Sequence, residues 1–157
     1  MTPRSARRSA GLLVHRERDG RLEVLLVHPG GPMWARRDLG AWSIPKGEYE
    51  PGEDPLAAAR REFEEELGVA PPEGPVVDLG QIRQKSGKVV SAWALAGDLD
   101  VTEITSNTVE VQWPPRSGKL LEIPEVDRAE WFAVPTAREK VNPAQVELLD
   151  RLTAILE

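Results

Sequence analysis

Three glutamates, Glu62, Glu65 and Glu66, follow one another at spacings of three and one in the sequence. On a helix, residues i, i+3 and i+4 share one face, because each residue turns the chain by about 100°. Carboxylates placed this way repel one another by roughly 0.2–0.5 kcal/mol per pair. Such a face is therefore either a solvated acidic surface or a binding site for a hard cation such as Mg²⁺.

The segment 47–69 has the pattern of a turn followed by a helix. A turn is predicted at 50–52, and Asp54 is a suitable N-cap. Pro55 fits the first helical position and Gly68 fits the position just past the end. The apolar residues of this helix recur at spacings of three and four and predict one buried stripe: Leu56, Ala59, Phe63 and Leu67.

Length and composition limit the classes of protein to which this chain can belong. The 157 residues predict a single domain, 1–157, and the net charge of −6 argues against nucleic acid or an anionic membrane as the partner. Because there is no cysteine, thiolate metal sites and cysteine nucleophiles are excluded. No apolar run is long enough for a signal peptide or a membrane span, so we expect a cytoplasmic protein, either a monomer or a homodimer.

Short apolar runs separated by turn residues predict several strands around this helix. The second run, 22–28, is nearly continuous in apolar residues and is expected to be a central strand. A terminal helix is expected to begin at 142–143. The predicted strands are 9–15, 22–28, 41–44, 76–84, 88–95, 105–113 and 128–134. Strands, a helix, more strands and a closing helix predict an α/β fold with a mixed sheet between helices.

The positions within 47–69 also match a known pattern. They are Gly47, Glu53, the run Arg61-Glu62-Phe63, the pair Glu65-Glu66 and the pair Gly68-Val69. This pattern resembles the signature of the Nudix hydrolases, and every defined position is met. The resemblance implies the Nudix-type α/β/α sandwich with a mixed β-sheet, with the signature at 47–69.

The resemblance also implies a metal site on the acidic helix. Glu65 and Glu66 would be direct ligands, and Gly47 would offer its backbone carbonyl. Glu62 would be either a further ligand or the base that deprotonates the attacking water. The implied cofactor is Mg²⁺, for which Mn²⁺ is expected to be able to substitute.

Two further roles follow from the same resemblance. Arg61 would pair with Glu53 or Glu65 and hold the carboxylates in place, leaving Glu53 near but not on the metal. The catalytic set implied is then Glu62, Glu65 and Arg61. A carboxylate outside the signature often completes the metal site in this family, and the candidates are Glu110, Glu122 and Glu125.

Candidate substrate-binding residues lie outside the helix. Lys46 could reach a phosphate as a point charge, although a lysine in a loop often has no such role. Trp34 and Trp113, in or beside Pro/Gly-rich loops, could stack on a base, but either could instead serve packing. Arg83, beside a predicted hairpin turn, is either a phosphate ligand or a solubilising charge.

By resemblance, the function is Mg²⁺-dependent hydrolysis of a diphosphate linkage in a small nucleotide-derived substrate, by attack of water on phosphorus. The sequence Pro45-Lys46-Gly47 resembles the lead-in to the signature in enzymes that act on dinucleoside or inositol polyphosphates. A nucleoside triphosphate or a dinucleoside polyphosphate is therefore the favoured substrate. The alternative is a non-catalytic Nudix-fold sensor or regulator that binds such a nucleotide without turnover.

Overall fold

A mixed six-stranded β-sheet forms the centre of the fold, as seen in a computed structural model that describes residues 7–157. The elements in chain order are β1 (Arg8–Arg18), β2 (Arg21–Pro29), β3 (Lys46–Glu48), α1 (Pro55–Leu67), β4 (Val76–Arg83), β5 (Val89–Ala96), β6 (Thr108–Gln112), β7 (Leu120–Pro124), β8 (Val126–Ala133), α2 (Val134–Lys140), a short 3₁₀ helix (Pro143–Gln145) and α3 (Val146–Leu156). The main sheet has the order β4-β5-β1-β2-β8, and β3 pairs with β1 outside this path. Strands β1 and β5 are parallel, whereas the other neighbours are antiparallel.

Side chains alternate between the two faces of the central strands, and both faces are buried. On β1, Leu12 points to the face covered by α1, and Leu13 points to the face covered by α2 and α3. On β2, Leu25 points to the face covered by α1, and Leu26 points to the face covered by α2 and α3. The predicted α/β/α sandwich is therefore confirmed, with 22–28 inside a central strand.

The turn between β1 and β2 has the expected chemistry. Asp19 and Gly20 both have positive φ, 55° and 76°, as a two-residue turn between paired strands requires. Arg18 pairs with Arg21 directly across this turn. Within residues 7–157, no helix is long and apolar enough to cross a bilayer.

The strand predicted at 41–44 is wrong. This segment makes only isolated bridges, such as Ser43 to Val27, because the backbone N–H of Ile44 donates to the side chain of Gln145 at 3.0 Å instead of to a strand. Pro45, which has no N–H, follows, and the third strand begins one residue later at Lys46.

Three other elements differ from the prediction. The strand expected at 105–113 is shorter, because its first residues bond to the end of α1: Asn107 N–H donates to the carbonyl of Glu65 at 2.8 Å. The strand β7 and the helix α2 were not predicted. Both are short, and α2 follows directly on β8, beginning at Val134, the last residue of the strand predicted at 128–134.

Candidate active site

Helix α1 presents the acidic residues because both of its ends are capped. The Asp54 side chain accepts a hydrogen bond from the N–H of Ala57 at 3.0 Å, and Pro55 occupies the first turn. At the other end Gly68 has φ 76° and donates to the carbonyl of Glu64 at 2.7 Å. The helix packs against the sheet through its predicted stripe, of which Ala59, Phe63 and Leu67 are fully buried.

Arg61 joins three of the carboxylates into one network. Its Nη2 donates to Oε2 of Glu53 at 3.1 Å, and its Nη1 donates to Oε1 of Glu62 at 2.9 Å and to Oε1 of Glu65 at 3.3 Å. These are the contacts expected for a residue that orients carboxylates, although the role of each in catalysis stays a prediction. The network ties the turn before α1 to the acidic face of the helix.

The backbone of β3 lies directly against Glu62. A Cβ placed on Gly47 would lie 2.0 Å from both Cδ and Oε2 of Glu62, far inside van der Waals contact. Only glycine leaves room for this carboxylate, which is 7% exposed. Burial raises the pKa of Glu62, and the nearby charge of Glu65 raises it further.

Glu66 lies deeper, beside the start of β3. Its Oε1 accepts a hydrogen bond from the backbone N–H of Lys46 at 3.3 Å, and the residue is 4% exposed. Burial and the charge of Glu125 raise the pKa of Glu66 to about 8. Lys46 is half-buried, and its pKa is lowered by burial and by the charge of Lys88. The buried carboxyl group of Glu66 and the half-buried Lys46 thus lie close together at the start of β3.

Among the three candidates for the carboxylate outside the signature, the structure brings only Glu125 to this place. Glu125 lines the same cavity as Glu66 and Lys46. Its backbone is held on both sides, because its N–H donates to Asn107 and its carbonyl accepts from Gly30. Glu110 and Glu122 instead face one another across β6 and β7, exposed and away from the cavity.

The cavity has a volume of about 270 Å³ and lies between the acidic helix and the loop 30–41. Trp34 and Lys46, both predicted to bind substrate, contribute to its lining. The loop is fixed at Asp38, which accepts from Nε1 of Trp42 at 2.8 Å and pairs with Lys140. The cavity is lined by Val27, Pro29, Trp34, Gly40, Ala41, Trp42, Ser43, Lys46, Glu66, Gln84, Glu125, Val126, Asn142 and Gln145.

Sequence reasoning missed Gln145, which organises the wall opposite the glutamates. The residue is 1% exposed, and its Nε2 donates to Oγ of Ser43 at 3.0 Å and to Oε1 of Gln84 at 3.1 Å. Its Oε1 accepts from Ile44 N–H. A signal was present: Gln145 stands at i−3, i−4 and i−7 from the buried leucines of α3, so it is a polar residue on an apolar stripe.

Two predicted substrate-binding residues lie outside the cavity lining. Arg83 is exposed at the end of β4, where its Nη1 donates to the carbonyl of Gly87 at 3.3 Å and closes the hairpin turn. Trp113 is half-buried just beyond β6, and its N–H donates to the carbonyl of Lys119 at 3.0 Å. A role for either in binding stays a prediction.

The donor set fits a hard cation in chemistry. Carboxylate oxygens are the ligands that Mg²⁺ prefers, and Glu62 and Glu66 are both buried. The backbone of Gly47 lies so close to Glu62 that a methyl group would not fit between them. Within residues 7–157, however, no three acidic or histidine side chains are grouped closely enough to form a ready-made metal site. Arg61 donates to one oxygen each of Glu62 and Glu65.

Known proteins resemble this chain in sequence and in fold. The sequence profile of the NUDIX domain matches residues 5–152. One curated relative is an octanoyltransferase of Myxococcus xanthus, which is 36% identical over 102 residues; these make up 65% of this chain and 25% of that protein. Another is an RNA pyrophosphohydrolase of Rhodospirillum rubrum, which is 39% identical over 71 residues; these make up 43% of this chain and 41% of that protein. The chain thus aligns with a quarter to two fifths of these relatives' lengths.

A solved structure of an Ap4A hydrolase of C. elegans, in a binary complex, resembles the whole fold. It has a TM-score of 0.67 and 24% sequence identity, and the alignment covers 96% of this chain and 98% of that one. At this identity the likeness establishes the fold.

Proposed function

Because this chain belongs to the NUDIX domain family, we propose that it hydrolyses a diphosphate linkage in a nucleotide-derived substrate by attack of water on phosphorus. The observation that carries the proposal is the lining of one cavity by Glu66, Glu125 and Lys46, next to the capped acidic helix. Mg²⁺, when bound by Glu62, Glu65 and Glu66, would neutralise charge on the phosphates. This metal and the cytoplasmic location stay predictions.

Each residue at the cavity would have its own role in this reaction. Lys46 places a positive charge where a phosphate oxygen would enter the cavity. Glu62 or Glu125 would accept the proton of the attacking water. Arg61 holds Glu62 and Glu65 in position through the distances given above, and Trp34 closes the cavity from the side of the loop.

The favoured substrates are nucleoside triphosphates and dinucleoside polyphosphates. The names of an RNA pyrophosphohydrolase and an Ap4A hydrolase among the similar proteins support a substrate with a chain of phosphates. Such a substrate needs both cationic and aromatic contacts, and the cavity offers them in Lys46 and Trp34.

A substrate panel with Mg²⁺ tests the proposal. It contains nucleoside triphosphates, dinucleoside polyphosphates, ADP-ribose and sugar nucleotides, with products separated by chromatography. The variant Glu66→Gln should lose at least about 100-fold in kcat, because it removes one of the carboxylates that would hold Mg²⁺ at the reacting phosphate. Glu64→Gln is the matched control, since Glu64 lies on the exposed side of the same helix. Circular dichroism checks that both variants fold.

Two results would count against hydrolysis. Near-normal turnover by Glu66→Gln would reject the role of this carboxylate. Tight binding of one nucleotide by the wild-type protein without any turnover would instead support the non-catalytic alternative, a nucleotide sensor.

A further inference from the structure

The second sheet of the protein is a two-stranded arm, residues 108–124, formed by β6 and β7. Paired residues on an antiparallel ladder point to the same face, so the arm has two distinct faces. Glu110 lies directly opposite Glu122 on one of them. Like charges in this position are unfavourable unless water screens them, which marks this face as the solvent side.

The other face of the arm is apolar. It carries Val109, Val111, Trp113, Leu121 and Ile123. Val109 and Leu121 are 37% and 39% exposed, so the face is only partly covered within the described residues. An isolated two-stranded hairpin is marginally stable in water. A continuous, partly exposed apolar face on such a hairpin indicates a binding surface for a ligand or a partner.

This apolar face begins at the edge of the active-site cavity. Ile123 packs on Gly31, where an added Cβ would come within 2.6 Å of Cδ1 of Ile123. The preceding Gly30 donates its N–H to Glu125 at 3.0 Å, and the carbonyl of Gly31 accepts from Trp34. Glu125 and Trp34 both line the cavity. A ligand that leaves the cavity past Trp34 therefore meets the apolar face of the arm.

The outer end of this face combines an aromatic ring with a positive charge. Trp113 lies opposite Lys119, five residues beyond the root of the arm at Thr108. At about 3.3 Å per residue this is roughly 17 Å from the root. A tryptophan beside a lysine suits a flat heterocycle attached to an anionic chain.

We propose that the arm binds a second nucleoside of the substrate, so that the preferred substrates are dinucleoside polyphosphates. This inference rests on the proposed hydrolysis at the cavity. The same chemistry could be offered by the nucleotide that follows a 5′-triphosphate in RNA. The net charge of −6 and the acidic face of the arm, with Glu110 and Glu122, disfavour the phosphate backbone of a longer strand.

The test compares two nucleotides that have the same phosphate chain and differ by one nucleoside. They are diadenosine tetraphosphate and adenosine 5′-tetraphosphate, and the quantity measured is the ratio of their kcat/KM values. Trp113→Ala should lower this ratio by about 5- to 100-fold, the size of one base–aromatic stack. Trp113→Phe, which keeps an aromatic ring, should restore most of it. Leu120→Ala, on the opposite and 67% exposed side of the arm, should leave the ratio unchanged.

The outcomes separate the arm from the active site. An unchanged ratio in Trp113→Ala, or an equal loss in Leu120→Ala, overturns the role of the arm while the proposed hydrolysis stands. If neither nucleotide is hydrolysed, the proposed hydrolysis of polyphosphate substrates fails, and the ratio of the two dissociation constants, measured by calorimetry, decides the role of the arm. Two further results would overturn it: dependence on Trp113 seen only with a 5′-triphosphorylated oligoribonucleotide, or a dimer in sedimentation that Trp113→Ala dissociates.

Discussion

Replacing Gly47 with alanine should disable the active site through a single methyl group. The new Cβ would lie 2.0 Å from Cδ and 2.6 Å from Cγ of Glu62, so the carboxylate must leave its position. That position is fixed by burial and by the 2.9 Å hydrogen bond from Arg61. Overpacking of this kind costs about 1–3 kcal/mol. Displacing a reacting group by about 1 Å costs about 100-fold in rate, so we expect at least this loss in kcat.

A double-mutant cycle tests whether Glu62 is the cause. Glu62→Ala removes all three atoms that the new Cβ meets most closely. Gly47→Ala should therefore cost much less stability in the Glu62→Ala background, with a coupling energy of about 1 kcal/mol or more. Chemical denaturation of the four proteins gives this energy. Equal costs in the two backgrounds would refute the reasoning.

A matched control separates a local clash from a general loss of stability. Gly97→Ala creates a contact of 2.5 Å with Pro72, beside the end of β5 and remote from the cavity. It should lower Tm by a few degrees, at about 2–4 °C per kcal/mol, and retain activity. Wild-type turnover by Gly47→Ala would show that Glu62 does not need its present position.

The remaining predictions concern the walls of the cavity. Gln145→Leu leaves the buried N–H of Ile44 without its acceptor and should lower the free energy of unfolding by about 1–3 kcal/mol, as measured by chemical denaturation. An unchanged denaturation midpoint would mean that water replaces the side-chain amide of Gln145. Asp38→Asn tests whether Asp38 anchors the loop 30–41. The hydrogen bonds from Lys140 and, to a lesser degree, from the indole of Trp42 lower the pKa of Asp38. Because the folded pKa lies below the usual 3.8, the stabilisation is present above about pH 4 and disappears as pH falls below it. Asp38→Asn should thus lower Tm at pH 7 more than at pH 3, and a loss of equal size at both would contradict this.

The α1 segment could be predicted in full because its determinants are local. Asp54, Pro55 and Gly68 set the ends of the helix within a few residues of one another, and the spacing of Glu62, Glu65 and Glu66 places them on one face whatever surrounds them. The central strands were predictable for a similar reason, since a continuous apolar run is stable only when buried on both faces. The error at 41–44 has a nonlocal cause: the N–H of Ile44 donates to the side-chain oxygen of Gln145, about a hundred residues away.

The sequence by itself determined the helix and its acidic face, because both depend on periodicity and on residue chemistry, whereas the reaction class rested on the resemblance of 47–69 to the Nudix signature. Only the tertiary structure showed which distant groups line the cavity beside Glu66. No feature of the sequence singles out Glu125 from Glu110 and Glu122. The position of Glu125 between the end of β7 and the start of β8 is what brings it to the same cavity as Glu66. The pairing of strands far apart in the chain sets such distances, and no local pattern records it.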